Sequence, residues 1–276
     1  MGLVSKDDGW RIPDELWEQM EPLLPARPSH PLGCHNPRVP DRSAMNAILL
    51  VLRTGMQWNA LNATAVCSSS SAYRRFREWC DAGMFLEFWQ QGLLAYDALE
   101  GIDWDWLAMD GAMTKAPLDG EKTGPNPTDR GKQGTKRSTL TDAAGILLAV
   151  EVDGANRHDM KLTQATLAAI AVAPPAATEQ APQGLCMDKA YDFDEVRSLV
   201  AEFGFTAHIR ARGEEVLAMK KEAGFKARRW VVERTHSWLN RFRRILVRWE
   251  KRADTYIAML HLACRLITWR AAGLLG

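Results

Sequence analysis

Apolar residues recur at helical spacing through the first hundred residues of the chain. They mark one helix that opens at Pro13-Asp14, a second over about 42–54 and a third over about 85–99. Such stripes are the pattern of amphipathic helices that bury one face. The stretch 25–41 is rich in Pro, Gly and His and is predicted to be a loop. The pattern therefore predicts an all-helical region, with a boundary near Glu100-Gly101.

One further helix in this region has a basic outer side. It follows the serines at 69–71 and is expected to turn Tyr73, Phe76 and Trp79 inward. Three arginines are predicted to point largely outward from it: Arg74, Arg75 and Arg77. Two helices across a bend, the second basic and serine-capped, are typical of a helix-turn-helix that binds DNA. The same shape is common in protein cores, so packing without DNA contact is an equal alternative.

After residue 100, short apolar runs replace the helical stripes. Strands are predicted in five segments, about 102–109, 136–141, 146–152, 184–187 and 205–210. The second and third flank Asp142-Ala143-Ala144-Gly145, which is typical of a β-hairpin turn. Helices are predicted over about 161–172, 194–203, 227–248 and 256–275. This order predicts an α/β fold with a mixed sheet flanked by helices.

Acidic residues follow two of these strands directly. Asp110 ends the first predicted strand and Asp188 ends the fourth. Carboxylates that end strands of one sheet can converge, and hard divalent cations prefer oxygen ligands. A pair of such cations suits in-line displacement at a phosphate. One such Asp taken alone is more often a turn residue, because Asp favours turns, whereas two of them together with the helix described next favour the metal site.

A strongly basic helix carries a third carboxylate, Glu233. Glu233 lies off the apolar stripe of that helix and is predicted to share a face with Arg229 and Arg244. One interpretation is a metal ligand flanked by arginines that bind phosphate. The alternative is an Arg229–Glu233 surface pair, which contributes only a few tenths of a kcal/mol. Helix geometry alone does not choose between them.

Charge is distributed unevenly along the chain. The whole chain carries a net charge of +1, with 46% hydrophobic and 25% charged residues. Between Phe205 and Arg252 there are 14 Lys or Arg and 5 Asp or Glu, a net charge of +9. A run of this kind is usually a solvated face, but dense arginine around a candidate metal ligand favours nucleic acid as the partner. Arg241 belongs to this segment and is a candidate phosphate contact.

Other polar residues compete for roles near the sheet. Asp153 is interpreted as a turn residue and Asp192 as a helix cap, while Asp159, beside His158, is a candidate for positioning metal or DNA. A basic group next to the sheet is predicted to contact phosphate or to be a solvated hairpin: Lys132, Lys136 and Arg137. Two tryptophans flank Glu233, and stacking on an unpaired base is the alternative to core packing for Trp230 and Trp238.

The cysteines and the chain ends limit the class of protein. The five cysteines include no Cys-x-x-Cys pair, which favours free thiols in a reducing cytoplasm and argues against zinc. The N-terminus has no apolar run typical of a secretion signal. Charged residues interrupt the apolar segment 256–275, so a packed terminal helix is favoured over a membrane span.

Several short motifs, in order along nearly the whole chain, resemble one family. They are Gly55–Leu61 (GMQWNAL), Ala72–Trp79 (AYRRFREW), Met109–Gly111 (MDG), Gly131–Ser138 (GKQGTKRS), Asp153–Asp159 (DGANRHD), Asp188–Asp192 (DKAYD) and Trp230–Thr235 (WVVERT). Each motif is weak alone, whereas their order over this length is specific. The chain resembles a DDE transposase of a bacterial insertion sequence, of the insertion-sequence-five type.

This resemblance implies an RNase H-like catalytic domain over 101–276, behind a helical DNA-binding domain over 1–100. It implies that Asp110, Asp188 and Glu233 bind two Mg²⁺ ions, with Mn²⁺ able to substitute. It further implies double-stranded DNA as partner, a homodimer in the DNA complex, no membrane, and a place at the nucleoid of a bacterial cytoplasm.

The resemblance is incomplete around Glu233, and it leaves other functions open. In the related signature, a Tyr stands where this chain has Lys226, and a basic residue stands where it has Asn240. The alternatives to a transposase are an RNase H-like nuclease that cuts without joining, and a domesticated transposase that only binds DNA.

Overall fold

In the first hundred residues, all regular secondary structure of the described part is helical; the computed structural model describes residues 9–26, 38–209 and 230–273. The helices are α1 (Asp14–Met20), α2 (Asp41–Thr54), α3 (Ser69–Asp81) and α4 (Met84–Leu99), with 3-10 turns at Glu21–Leu23 and Trp58–Ala63. The apolar stripes thus predicted these helices to within a few residues. The cap of α3 is Ser68, whose hydroxyl accepts the Ser71 N–H at 3.3 Å.

A six-stranded mixed sheet follows. Its strands are β1 (Trp106–Lys115), β2 (Gly124–Pro125), β3 (Gln133–Thr141), β4 (Leu147–Gly154), β5 (Gly184–Met187) and β6 (Thr206–Ile209). β3 lies between β1 and β4 and is antiparallel to both, with β2 pairing its first residues. β5 and β6 are parallel to β1 on its other side. This order, β4-β3-β1-β5-β6, is RNase H-like, and the predicted β3–β4 hairpin is confirmed.

Helices cover both faces of this sheet. They are α5 (Thr163–Ala168), α6 (Asp194–Glu202), α7 (Trp230–Leu239), α8 (Arg243–Leu246) and α9 (Ala253–Ala271). The helix predicted over 161–172 is shorter than expected, because a 3-10 turn at Asp159–Leu162 precedes it and the chain leaves it at Ala169. Within the described residues, no helix is both long and apolar enough to cross a bilayer.

The first strand is longer than the sequence indicated. Asp110 was predicted to end it, but β1 continues for five residues to Lys115. The reason is pairing, since β3 forms partners with β1 from Ala108 through Lys115. Asp110 therefore lies in the middle of a central strand, where its backbone is held from the side by β3.

The basic helix predicted over 227–248 is not continuous. Arg229 lies outside the described residues, α7 ends at Leu239, and α8 begins only at Arg243. Phe242 adopts an extended backbone at the break and is buried. The break brings Ile245, which lies off the apolar stripe of a straight helix, into the core beside Phe242.

One hydrophobic core extends through the described part of the molecule. It includes Phe88 and Trp89 of α4 together with Met259 and Leu262 of α9. The Trp89 ring stacks on the ring of His261 with centroids 5.4 Å apart. The helical region and the sheet region thus share apolar packing, and a division into two domains at residue 100 stays a prediction.

Candidate active site

Two aspartates lie side by side on neighbouring parallel strands. Trp106 pairs with Gly184 and Ala108 pairs with Cys186 in the β1–β5 ladder. Two residues farther along each strand are Asp110 and Asp188, so the register sets them opposite each other. Adjacent strands are about 5 Å apart. Because β-strand side chains alternate, both carboxylates leave the sheet on the same face.

The local structure holds Asp188 in a defined position. Its backbone is still extended, and a 3-10 turn at Lys189–Tyr191 follows directly. One carboxylate oxygen, Oδ1, accepts the Ala190 N–H at 2.7 Å. Asp188 therefore does cap a turn, as the structural alternative predicted. This bond engages one oxygen of the carboxylate and orients the other.

Helix α7 is anchored to the sheet beside Asp110. At the β3–β4 turn, Arg234 donates to the Ala144 carbonyl at 2.5 Å and Thr235 donates to the Gly145 carbonyl at 2.8 Å. One residue farther on, His236 Nε2 lies 3.7 Å from Asp110 Oδ2. Glu233 precedes His236 by three residues, about one helical turn. The helix that carries the third carboxylate is thus fixed against the first.

His236 is a neutral imidazole enclosed by the protein. Burial and, to a smaller extent, the nearby Arg137 guanidinium lower the pKa of His236 from 6.5 to about 3. Neither ring nitrogen has a hydrogen-bond partner among the described residues. His236 falls at helical spacing with Val232 and Leu239, which predicts a core position, and it is buried as expected. His236 lies three residues after Glu233, and this spacing is the sequence signal from which its contact with Asp110 could have been inferred.

The donor chemistry of this region fits a hard divalent cation only in part. Asp110 and Asp188 supply carboxylate oxygens from neighbouring strands, which is the ligand type that Mg²⁺ prefers. Across residues 9–26, 38–209 and 230–273, however, no three His, Cys, Asp or Glu side chains are close enough together to hold one metal ion. Glu233 is solvent-exposed on its helix. A three-carboxylate cage is therefore not assembled here, and the ligand role of the trio stays a prediction.

A second charged group lies on the opposite face of β1. Lys136 Nζ is 3.0 Å from Asp159 Oδ1 and donates to the Arg157 carbonyl at 2.7 Å. The Asp159 oxygen lies against Gly111, where a Cβ added to the glycine would be only 2.1 Å away. Asp159, which the sequence indicated as a candidate for positioning metal or DNA, thus lies against the residue that follows Asp110.

Tyr191 connects this group to the aspartates and was missed by the sequence reasoning. Its side chain is fully buried, and burial raises the pKa of its phenol well above the ordinary value. The carboxylates of Asp159, Asp110 and Asp188 raise that pKa further, so all three lie near the phenol. The only signal in the sequence was its place three residues after Asp188.

Two of the predicted phosphate contacts on β3 are inside the protein. Lys136 and Arg137 were expected in an exposed basic group, but they are only 6% and 1% exposed. Arg137 donates to the Asn240 side-chain oxygen at 2.9 Å, across the gap between sheet and α7. Both residues lie on a central strand covered on each face by other elements, so their cations bind protein groups. Lys132, just before the strand, is exposed.

The predicted position of Arg244 on one exposed face with Glu233 is also corrected. The helix break turns Arg244 inward, where its guanidinium is 2.5 Å from the Glu250 carboxylate and donates to the Met56 carbonyl at 3.2 Å. Both side chains of this ion pair are at least nine-tenths buried. Arg241, at the break itself, is exposed.

On α3 the three arginines have different surroundings. Arg75 was predicted to point outward, but its guanidinium is buried between Asp41 at 2.7 Å and Glu78 at 3.3 Å. Arg77 is half-buried and pairs with Asp81 at 3.2 Å. Arg74 is exposed, as predicted. The inward turn of Arg75 follows from its register, three residues after buried Ala72 and four before buried Trp79.

The aromatic residues near the site also have protein partners. The Arg234 guanidinium lies 4.6 Å from the ring centroid of Trp230 and 4.8 Å from that of Trp238. One cation between two indoles explains why Trp230 stays about half exposed without packing into the core. His158 is exposed and meets the Phe193 ring edge-on, with centroids 5.7 Å apart.

Two family models match the chain. One, described as a putative transposase of the IS4/5 family, matches residues 12–89. The other, described as a transposase DDE domain, matches residues 105–267. The matched segments correspond to the helical region and to the sheet with its helices.

Individual proteins are similar as well. A putative transposase for insertion sequence element IS402 of Burkholderia cepacia is 40% identical over 152 residues, which cover 54% of this chain and 69% of that protein. An uncharacterized 16.2 kDa protein of insertion element IS402, also of Burkholderia cepacia, is 38% identical over 120 residues, 42% of this chain and 80% of that protein. Among solved structures, the Mos1 mariner paired end complex with Mn superposes with a TM-score of 0.30 at 12% identity, over 88% of this chain and 82% of that chain.

The DDE-domain match covers more than half of the chain, and it includes both aspartates and Glu233. The chain belongs to the DDE transposases of IS4/5-type insertion sequences.

Proposed function

We propose that this chain cuts DNA at the inverted repeats that end its element and joins the freed 3′ ends to target DNA. One observation carries the proposal: the β1–β5 register sets Asp110 beside Asp188, while the helix of Glu233 is fixed to the same strand. Carboxylates on rigid elements hold a reacting phosphate more precisely than carboxylates on loops.

In this proposal Asp110, Asp188 and Glu233 hold two Mg²⁺ ions, and Mn²⁺ substitutes for them. When bound, the cation pair supplies Lewis-acid charge to the attacking and the leaving oxygens of an in-line displacement. Asp110 cannot shift far, because β3 and β5 pair with its strand on both sides. Glu233 lies on the exposed side of α7 and in this proposal completes the ligand set from there.

The imidazole that lies against Asp110 does not compete with a metal ion for the carboxylate. His236 is neutral at physiological pH, so it is no rival cation for the carboxylate. Its ring covers one side of the Asp110 carboxylate. A carboxylate that is partly desolvated in this way interacts more strongly with a cation than one in bulk water.

The DNA partner is inferred from the cations that remain accessible. Arg74, Lys132 and Arg241 are exposed, and arginine binds phosphate bidentately. We propose these three as phosphate contacts, together with Arg229 outside the described residues and the half-buried Arg77. Two ends must be cut and joined together, so we also propose a homodimer in the DNA complex.

The experiment uses the full chain with duplexes that carry the inverted repeats flanking its gene. Asp110→Asn, Asp188→Asn and Glu233→Gln each remove ligand charge with little change of shape. Cleavage is expected to fall by orders of magnitude while end-binding is retained. A second assay supplies a pre-cut end: joining supports a transposase, whereas cleavage without joining supports a nuclease. If the parent protein binds the ends but does not cleave them with any divalent metal, its function is DNA binding alone.

A further inference from the structure

The Lys136–Asp159 pair lies behind Asp110 but on the other face of β1. Lys136 is opposite Met113 and Ser138 is opposite Gly111 in the β1–β3 ladder. Residues alternate between faces along a strand, so Gly111 faces away from the side on which Asp110 meets His236. The carboxylate of Asp159 fills the space that Gly111 leaves open.

This space accepts a carboxylate only because residue 111 has no side chain. A Cβ at Gly111 would lie 2.1 Å from Asp159 Oδ1 and 3.5 Å from the Lys136 side chain. Real Cβ atoms do not approach an oxygen so closely, so any other residue would displace Asp159. The glycine next to Asp110 is therefore explained by its contact and not by an unusual backbone angle.

The same carboxylate reaches toward the turn that carries Asp188. Asp159 begins one 3-10 turn and Tyr191 ends another, and the two turns pack together. Tyr191, the last residue of the second turn, is fully buried, and the carboxylates of Asp159, Asp110 and Asp188 add to the effect of burial in raising the pKa of its phenol. Asp159 thus lies against Gly111 of β1 on one side, and its turn packs on the turn that follows Asp188 on the other.

We infer that Lys136 and Asp159 are positioning residues, which hold the strand of Asp110 and the turn of Asp188 at the spacing that two metal-binding carboxylates need. This inference rests on the proposed function. It assigns Lys136 to the protein interior instead of to DNA, and it assigns Asp159 to the support of ligands instead of to the ligand set.

Burial and contacts favour this assignment over the alternatives. Lys136 is 6% exposed, and its ammonium already contacts a carboxylate and a backbone carbonyl. A phosphate would have to replace both. The Oδ1 atom of Asp159 is enclosed between Lys136 and Gly111, so a metal ion could reach it only by displacing the ammonium.

The test compares four variants with the parent protein: Lys136→Met, Asp159→Asn, the double variant, and the control Lys122→Met. Lys122 also pairs with a carboxylate across the sheet, Glu151 at 3.4 Å, but that pair is solvent-exposed. Supporting residues typically change metal affinity by about 10–100-fold. The half-saturating Mg²⁺ concentration for cleavage is expected to rise at least about 10-fold in both single variants and to be unchanged in the control.

Two readouts do not depend on cleavage. The Mn²⁺ concentration needed for half of the metal-induced shift in melting temperature, measured without DNA, is expected to rise in parallel. End-binding and its salt dependence are expected to equal those of the parent. A salt slope that falls by about one in Lys136→Met would make that lysine a phosphate contact and overturn the inference.

The double variant tests whether the two residues act as one unit. If they do, the double variant needs the same Mg²⁺ concentration as the more affected single variant, because either change already breaks the pair. Additive losses would mean that Asp159 acts independently, as a metal ligand does, and would overturn the inference. If Lys136→Met does not fold, the nearly isosteric Asp159→Asn decides alone: a parental Mg²⁺ requirement would contradict the inference.

Gly111→Ala provides an independent test with the charges intact. The added methyl group must displace Asp159, so the Mg²⁺ requirement is expected to rise as in Asp159→Asn. An unchanged requirement would contradict the supporting role. Failure of the proposed function is distinct from either result, because then the parent would not cleave with any divalent metal, or Asp110→Asn would cleave as the parent does.

Discussion

Arginine side chains in the interior of this protein have different partners from those on its surface. Inside, Arg137, Arg244 and Arg248 are nearly inaccessible and bind side-chain or backbone oxygens of the chain itself. Outside, Arg74 and Arg241 remain accessible to solvent. The net charge of +9 between Phe205 and Arg252 therefore overstates the cationic surface available to DNA. Basic sequence composition indicates a nucleic-acid partner only after the buried, paired cations are set aside.

The largest expected effect of a single interior arginine is on stability. Arg244→Ala leaves the buried Glu250 carboxylate without its cation, which typically costs about 3–5 kcal/mol in free energy of unfolding. Urea denaturation measures this change. The double variant Arg244→Met with Glu250→Leu should recover much of the loss, because it removes both charges together. If Arg244→Ala instead keeps parental stability and weakens end-binding, Arg244 belongs with the surface group and the contrast fails.

Burial of His261 is expected to make the free energy of unfolding depend on pH. Burial lowers the pKa of His261 from 6.5 to about 4. Below pH 6.5 the imidazole binds a proton in the unfolded chain but stays neutral in the folded chain. This contribution to stability is therefore complete above pH 6.5 and is lost as the pH falls toward 4. The loss amounts to about 3 kcal/mol. In His261→Phe, which keeps a ring against Trp89, the unfolding free energy should fall less over this range; an identical slope would show that His261 is not a source of it.

For the surface group, the effect is expected on DNA binding alone. Arg74→Ala and Arg241→Ala should each weaken binding to the element ends and reduce the salt slope by about one. Their unfolding free energies should stay within about 0.5 kcal/mol of the parent, as for most surface changes. The control is Arg42→Ala, an arginine of α2 that already pairs with Asp14. Parental slopes in both variants would remove α3 and the α7–α8 turn from the DNA interface.

The fold was largely predictable because its signals are local. The stripe of α2, the hairpin turn at 142–145 and the apolar run before Asp188 each depend on a few neighbouring residues. The continuation of β1 through Gly111 was not predictable in this way. Polar and glycine residues there follow no alternation, and pairing with β3 makes them a strand.

The approach of Asp110 to Asp188 was predictable from the sequence, but the surroundings of this pair were not. Asp110 and Asp188 follow apolar runs that sequence reasoning can find, whereas Tyr191 and Asp159 become neighbours of the site only through packing of two short turns. Burial of Arg75 and Arg137 depends on which face of an element the core covers. Periodicity separates faces for apolar residues, but a long cation can satisfy either environment.

The central claim is that Asp110, Asp188 and Glu233 bind the metals that act on DNA. The most direct test is cleavage of an element end by Asp188→Cys, with Mg²⁺ and with Mn²⁺ in parallel. A thiolate is a poor ligand for Mg²⁺ but a better one for the softer Mn²⁺. We predict cleavage by the parent with both ions, almost none by Asp188→Cys with Mg²⁺, and partial recovery with Mn²⁺. Parental cleavage by Asp188→Cys with Mg²⁺ would contradict the account.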